Sequence, residues 1–253
     1  MSKATHKEGL ELLQRSAQVQ PGLITEIQVQ RLPEVAQRYL RYTRVVGKEP
    51  IRTVRLKQQG FFRIQPGQKW SPMVAEQYYT TNPPAFLWHG TIWPFPLVSI
   101  SAWDRLSQGH GNMLVKFLSL ITLANARGPE TDQAALLRYM GEMIWFPTAW
   151  LSDVIQWQPI DAQSVKATIS YTGVMAHAVL YVNEQGQMIR MTAERYMDQR
   201  GHPVLKPWSA QAQEYQEVGG MLIPTRVEVT WHLESGDFSY FRCKITEIEY
   251  NQS

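Results

Sequence analysis

Two charged residues interrupt the apolar faces of predicted strands and are the first candidates for chemistry in this sequence. On residues 97–106 one face reads Val-Ile-Ala-Asp-Leu, which places Asp104 among apolar side chains. On residues 187–197 one face reads Ile-Met-Ala-Arg-Met, which places Arg195 in the same position. An unpaired buried charge is costly, so each residue needs a partner if it points inward. Three interpretations stay open: a shifted register that exposes both side chains, a structural ion pair, or polar groups in a ligand cavity.

A mid-chain helix predicted over residues 132–146 adds more charged candidates. Arg138 and Glu142 are four residues apart, and Trp145 falls on the same side. This side lies opposite an apolar stripe formed by Leu136, Met140, Met143 and Ile144. Such a helix could lie across the open side of a curved sheet, and the alternative is a surface ion pair beside a half-buried tryptophan. Asp104 and Arg195 could then pair with each other or with Glu76, Arg138 and Glu142.

The aromatic content is high, with nine tryptophans and eleven tyrosines. Most must be core residues, because an uncovered aromatic ring forgoes much apolar burial. Trp88 and Trp231 alternate with apolar residues, so each is expected to face the concave core. Aromatic walls with a few convergent polar groups also suit a cavity for an apolar ligand. The predicted ligand-binding residues are Glu76, Trp88, Asp104, Arg138, Glu142, Trp145, Arg195 and Trp231.

Recognisable catalytic signatures are missing from the sequence. It has no Gly-x-Ser-x-Gly elbow, no phosphate-binding loop and no His-Glu-x-x-His motif. The single cysteine, Cys243, excludes an intrachain disulfide, and the six histidines show no metal-ligand spacing. We therefore predict no catalytic residue, metal or cofactor. Whether the protein is an enzyme stays open, and a hydrolase-type enzyme using Glu76, Asp104 and Glu142 is the alternative.

Charge is distributed unevenly. The first 70 residues carry thirteen Lys and Arg against five Asp and Glu. This basic third predicts peripheral contact with an anionic membrane surface or an acidic partner. The basic residues are spread singly, which argues against nucleic acid. No apolar run approaches the ~18–20 residues of a membrane span, and no signal peptide is recognised, so we expect a cytoplasmic protein, with membrane-peripheral contact as an option.

Hydrophobic periodicity predicts an α+β fold. The first fifty residues show helical patterns, and from residue 53 the period changes to two. Residues 112–124 fit neither period. The later strands are joined by short turns, which require antiparallel neighbours. We predict one domain over 1–253: a helical segment (1–50) packed on a strongly curved antiparallel half-barrel sheet of about ten strands (53–249), covered by the helix 132–146.

Several runs of residues resemble an uncharacterised bacterial family of unknown function between Leu32 and Asn251. These runs are residues 60–63, 70–79, 138–147, 220–225 and 238–242, together with Trp231. The resemblance implies no reaction. By layout, the strands around one mid-chain helix are also similar to the lipoprotein-carrier half-barrel superfamily, whose curved sheet cradles acyl chains under a helical lid.

The function predicted from these features is the binding of a hydrophobic or amphipathic, lipid-like small molecule in the concave face of the sheet. The aromatic residues would line the walls, and the charged residues would orient a polar head group. The alternatives are the hydrolase-type enzyme and a docking module that uses the basic N-terminal helices at a membrane surface.

Overall fold

A computed structural model describes residues 3–14, 16, 22–199 and 201–252. The helices are α1 (Lys3–Gln14), α2 (Glu26–Gln30), α3 (Glu34–Tyr42) and α4 (Pro129–Glu142), and two short 3-10 turns follow α4 at Met143–Trp145 and Pro147–Leu151. The first six strands are β1 (Thr53–Phe62), β2 (Ser71–Thr81), β3 (Pro84–Phe95), β4 (Val98–Ser107), β5 (His110–Phe117) and β6 (Ile121–Ala126). The other seven are β7 (Ile155–Pro159), β8 (Ser164–Tyr171), β9 (Val174–Val182), β10 (Met188–Gln199), β11 (His202–Val218), β12 (Met221–Leu233) and β13 (Gly236–Tyr250).

All thirteen strands belong to a single sheet in the order β6-β5-β4-β3-β2-β1-β13-β12-β11-β10-β9-β8-β7. Neighbouring strands pair antiparallel throughout, as the short connections predict. The helix α4 connects β6 to β7, which are the two edge strands. We call β1–β6 and β7–β13 the two arms of the sheet, and α4 connects them.

The two arms curl toward each other around α4. The β8–β9 turn meets the β4–β5 turn, where the Thr172 hydroxyl donates to the carbonyl oxygen of Gln108 over 3.4 Å. On one arm, Gly111 leaves room for α4, because a Cβ there would collide with the carbonyl oxygen of Thr131. On the other arm, Met191 Sδ would lie 2.9 Å from a Cβ added to Gly141 of α4. The result is a half-barrel with α4 seated in part of its concave face.

The helix α1 packs on the opposite, outer face of the sheet. His6 Nδ1 lies 2.7 Å from the Tyr78 hydroxyl of β2. The Tyr78 ring also occupies the space that a Cβ at Gly9 would fill. Because α1 covers the outer face while α4 covers the inner one, both faces of β2 are buried from Ala75 to Thr80.

The predicted fold class is confirmed, with corrections in detail. The sheet has thirteen strands where about ten are predicted. Residues 112–124, which fit neither period, form most of β5 and β6. The mid-chain helix ends at Glu142 and continues as 3-10 turns, while its predicted stripe of Leu136, Met140, Met143 and Ile144 is buried.

Candidate functional site

Arg138 of α4 lies at the centre of a buried ionic cluster on the concave face. Its Nη1 is 2.9 Å from Asp104 Oδ2, and its Nε is 2.9 Å from Glu142 Oε1. Its Nη2 donates to Gln77 Oε1 over 3.4 Å. The three side chains of this ion-pair group are each at most 17% exposed. The helix and two strands thus meet at one arginine.

The pairing register of the sheet positions the strand residues of this cluster. Gln77 on β2 lies opposite Trp88 on β3, which lies opposite Asp104 on β4. Directly opposed residues share one face of a sheet, so the three side chains form a row under α4. The Arg138 guanidinium carbon lies 5.1 Å from the ring centroids of both Phe86 and Trp88. The same rings that bury this charge also attract it.

Burial, neighbouring charges and hydrogen bonds together set the pKa values in the cluster. The second carboxylate oxygen of Glu142 accepts from Gln77 Nε2 (2.8 Å) and from the Tyr79 hydroxyl (3.1 Å). Burial raises the pKa of Glu142, while Arg138 and these donors oppose the shift. Burial lowers the pKa of Arg138, but Glu142 and Asp104 outweigh burial, so this pKa is raised and the guanidinium stays charged. Every nitrogen of Arg138 has an acceptor, which is the arrangement of a structural ion pair.

Arg195 of β10 has very different partners. Its Nη1 donates to the Tyr240 hydroxyl over 3.0 Å, and its guanidinium carbon lies 5.4 Å from the Trp208 ring centroid. Its Nε is buried and has no hydrogen-bond partner. Within the described ranges, no carboxylate lies at ion-pair distance from Arg195. A half-buried cation therefore faces aromatic rings without a counter-charge.

Aromatic side chains surround Arg195. Trp208 on β11 lies opposite Trp231 on β12, which lies opposite Phe238 on β13. The rings of Trp231 and Tyr240 stack with centroids 5.9 Å apart, and Trp208 Nε1 donates to the Tyr240 hydroxyl over 3.1 Å. The Tyr240 oxygen therefore accepts from both Arg195 and Trp208. One hydroxyl fixes the positions of both side chains.

The concave surface continues from this aromatic group onto the other arm. Met73, Ile92, Ile100 and Phe117 lie in one row across β2, β3, β4 and β5. Ile100 and Phe117 are only half-buried. We call the surface that joins the two groups the open trough. It consists of Phe62, Met73, Ile92, Ile100, Phe117, Ala193, Arg195, Trp208, Trp231 and Tyr240.

The structure places the eight predicted ligand-binding residues at several different locations. Arg138, Glu142, Asp104 and Trp88 meet under α4, and Arg195 and Trp231 lie in the open trough. Trp145 is buried beside α4, where its Nε1 donates to the carbonyl oxygen of Pro224 over 3.2 Å.

Glu76 does not join the others, because it points to the outer face. There its carboxylate accepts from Arg55 Nε (2.7 Å) and from the Tyr78 hydroxyl (2.6 Å). Glu76 therefore lies apart from Asp104 and Glu142, the other two carboxylates of the hydrolase-type alternative.

The concave face under α4 is filled and does not form the expected hollow. Leu106 of β4 and Leu136 of α4 are fully buried there. The structure has two clefts of about 310 and 410 Å³, and the first shares Ala193 and Trp208 with the open trough. Strand alternation places their polar lining, including His177, Glu194 and Lys116, on the outer face. The open trough keeps some exposed surface on the concave face, because Ile100, Phe117, Arg195 and Tyr240 are half-buried there.

One chain of hydrogen bonds has the order of a catalytic triad and gives no signal in the sequence. Ser209 Oγ lies 2.8 Å from His232 Nε2, and His232 Nδ1 lies 2.7 Å from Asp237 Oδ1. Three strands contribute these residues, so no local motif reveals them. Ser209 is only 2% exposed and lies in an interior strand, whose backbone N–H groups bond to neighbouring strands. Because the Ser209 hydroxyl is buried between strands, we interpret these three residues as a structural hydrogen-bond chain.

Two further features concern cofactors and membranes. Across the described part of the chain, no three His, Cys, Asp or Glu side chains are grouped so that they could hold a metal ion. No helix in those same residues is long and apolar enough to cross a membrane.

Comparison with known proteins gives a family but no activity. A family model of unknown function matches residues 22–243. The chain belongs to this family, DUF6544. The resemblance seen between Leu32 and Asn251 is thereby confirmed. No curated protein matches the chain.

Two solved structures are similar in fold. A putative outer membrane lipoprotein-sorting protein domain from Vibrio parahaemolyticus has a TM-score of 0.49 and 9% identity, covering 89% of this chain and 94% of that one. A LolA superfamily protein from Nitrosomonas europaea has a TM-score of 0.42 and 10% identity, covering 87% and 93%. At these values the likeness assigns no ligand, and the functional argument depends on the residues of this chain.

Proposed function

We propose that this protein binds an amphipathic molecule with an acidic head group, whose apolar chain lies along the open trough. The observation that carries the proposal is Arg195, a half-buried cation on an apolar surface with no carboxylate partner. Its contacts with Tyr240 and Trp208 hold it in place without neutralising it. An anionic head group would supply the missing charge.

An unsatisfied donor of Arg195 supports an acceptor-bearing ligand. Arg195 Nε and Gln58 Nε2 are both buried without a hydrogen-bond partner. Gln58 is 1% exposed, and its side-chain oxygen already accepts from Trp88 Nε1 over 3.0 Å. Buried donors normally have acceptors, and leaving one unpaired costs about 1–3 kcal/mol. Carboxylate or phosphate oxygens would satisfy Arg195 Nε. Gln58 on β1 lies four strand positions along the sheet from Arg195 on β10, so the same head group does not reach it.

The remaining trough residues support an apolar chain. Ile100 and Phe117 keep part of their surface exposed on a concave face, beside the buried Met73 and Ile92. Covering such side chains contributes about 25 cal/mol per Å² of apolar area. The row crosses four strands, a width of roughly 14 Å at the usual strand spacing. This length suits an extended alkyl chain better than a compact polar metabolite.

The test is displacement of the fluorescent probe 1-anilinonaphthalene-8-sulfonate from the protein by oleate and by oleyl alcohol. These two ligands have the same alkyl chain, but only oleate carries a charged head group. In Arg195→Met we expect oleate to bind about tenfold more weakly, while oleyl alcohol is little affected. The control is Arg190→Met. Arg190 lies on the same strand and stacks on Tyr181 at 4.4 Å, but it is exposed.

Two results would contradict the proposal. One is an Arg195→Met protein that binds oleate as tightly as the wild type. The other is a wild-type protein from which neither ligand displaces the probe.

A further inference from the structure

Three hairpin turns lie side by side at one end of the sheet. They join β1 to β2 (residues 63–70), β3 to β4 (96–97) and β5 to β6 (118–120). The six strands are consecutive in the sheet and antiparallel, so these three turns lie at the same end of the strands. Leu118 N donates to the carbonyl oxygen of Ser99 over 2.9 Å, which joins the second and third turns. We call residues 61–70, 93–99 and 116–123 the hairpin rim.

Large apolar side chains of the hairpin rim are exposed to solvent. Leu97 is 98% exposed and Leu120 is 81% exposed. Phe95 and Ile64 are each 69% exposed, and Ile121 is 61% exposed. Single exposed apolar residues are common, but a contiguous group on neighbouring turns marks an interaction surface.

The backbone conformation at two leucines of the hairpin rim, Leu97 and Leu118, is unfavourable for leucine. Leu97 and Leu118 have φ values of 64° and 48°, in the left-handed region that favours Gly or Asn. A leucine in this conformation is strained, and an exposed one gains little burial in return. The backbone conformation at these two positions therefore disfavours leucine.

Charge on the hairpin rim has one sign. It carries Arg63, Lys69 and Lys116, and it contains no Asp or Glu. The neighbouring β12–β13 turn carries Glu234 and Asp237 and so bounds this surface. Exposed Leu, Phe and Trp with interspersed Lys and Arg are typical of surfaces that enter the interface of an anionic bilayer.

We propose that the hairpin rim docks on an anionic lipid bilayer, with its leucines and Phe95 in the boundary between head groups and acyl chains. This inference goes beyond the proposed function, because it concerns a surface beside the trough. It also differs from docking through the N-terminal helices. There Arg41 and Arg44 already pair with Glu26 and Glu217.

The test is co-sedimentation of the full chain with phosphatidylcholine vesicles, with and without phosphatidylglycerol, at low and high salt. Wild type should bind the anionic vesicles, and salt should weaken the binding. The double variant Leu97→Asn/Leu120→Ser should bind about tenfold more weakly. Asn tolerates a positive φ, so this variant should melt no lower than wild type. Ile160→Ser is the control, because Ile160 is 53% exposed on a different turn.

The outcomes separate this inference from the proposed function. Arg195→Met should bind vesicles like wild type, so a failure here leaves the trough proposal intact. The docking inference is overturned if wild type ignores anionic vesicles or if the double variant binds them unchanged. It is also overturned if light scattering shows that wild type self-associates through the rim and the double variant does not, because the rim is then a contact between copies.

Discussion

The two arginines of the concave face show how partners decide what a buried charge does. Arg138 has two carboxylates, a glutamine oxygen and two aromatic rings around it. Arg195 has one tyrosine hydroxyl and one tryptophan ring. Both lie on an apolar surface, but only the first has its charge compensated within the fold. A compensated charge holds elements together, whereas an uncompensated one is available to a ligand.

The largest effect is expected from removing the compensated charge. Arg138→Met should lower the free energy of unfolding by about 3–5 kcal/mol, because Asp104 and Glu142 stay buried without a cation. Urea denaturation measures this change. The triple variant Arg138→Met/Asp104→Asn/Glu142→Gln should recover part of the loss. An Arg138→Met protein as stable as wild type would show that the cluster is not the structural ion pair described here.

His89, on the outer face, is a third buried ionisable side chain to compare with Arg138 and Arg195, and among the residues that the structure describes it has no carboxylate hydrogen-bonded to it. His89 is 7% exposed and stacks on Trp103 at 4.7 Å, and burial lowers its pKa to about 4. The unfolded chain, with a histidine pKa of about 6.5, binds more protons between these values. Stability from neutral His89 is therefore present above about pH 6.5 and lost as the pH falls toward 4.

This loss should amount to roughly 2–3 kcal/mol between about pH 7 and pH 4. Urea denaturation across this pH range measures it in wild type and in His89→Gln. The variant should have a flatter pH dependence. Equal slopes in the two proteins would show that His89 does not titrate as its burial implies.

Packing around the Arg138 cluster gives a smaller effect. The Trp88 indole covers Gly90, so that a Cβ at position 90 would overlap its ring. Gly90→Ala should cost about 1–3 kcal/mol, because the indole that contacts Arg138 must move. Gly22→Ala is the control, since nothing lies within 4 Å of a Cβ added there. Thermal unfolding of both variants decides whether Trp88 is as tightly packed as this contact indicates.

The smallest stability effect is expected at the uncompensated charge. Arg195→Met should change the free energy of unfolding by less than about 1 kcal/mol, because no carboxylate loses a partner. A loss as large as that of Arg138→Met, measured in the same urea series, would mean that Arg195 is also a structural residue.

The sequence predicts the fold class better than it predicts the site. The period of two identifies most strands, and the buried stripe of α4 follows from its spacing. The strands in residues 112–124 cannot be predicted from periodicity, because the exposed Leu118, Leu120 and Leu123 of the hairpin rim obscure the alternation of β5 and β6. The sequence alone does not distinguish an apolar residue exposed on the surface from one buried in the core.

Pairing within the site cannot be read from the sequence. Asp104 and Arg138 are both predicted to need partners, and the structure joins them. Nothing in the spacing shows that Arg195 lies apart from them, on the far arm of the sheet. Glu76 shows the same limit, because both faces of β2 are buried around it and no alternation reveals which way it points. The missed residues, Tyr240 and Gln58, act through contacts between distant strands.

The most direct test of the central claim is quenching of tryptophan fluorescence by dibromostearate, whose bromine atoms quench only rings that they approach closely. Trp208 and Trp231 are 6% and 7% exposed and lie along the open trough, whereas Trp145 is 2% exposed and lies beside α4. We expect strong quenching in wild type and in Trp145→Phe, and weak quenching in Trp208→Phe/Trp231→Phe after circular dichroism has verified its fold. Undiminished quenching in the double variant, or none in wild type, would contradict binding in the trough.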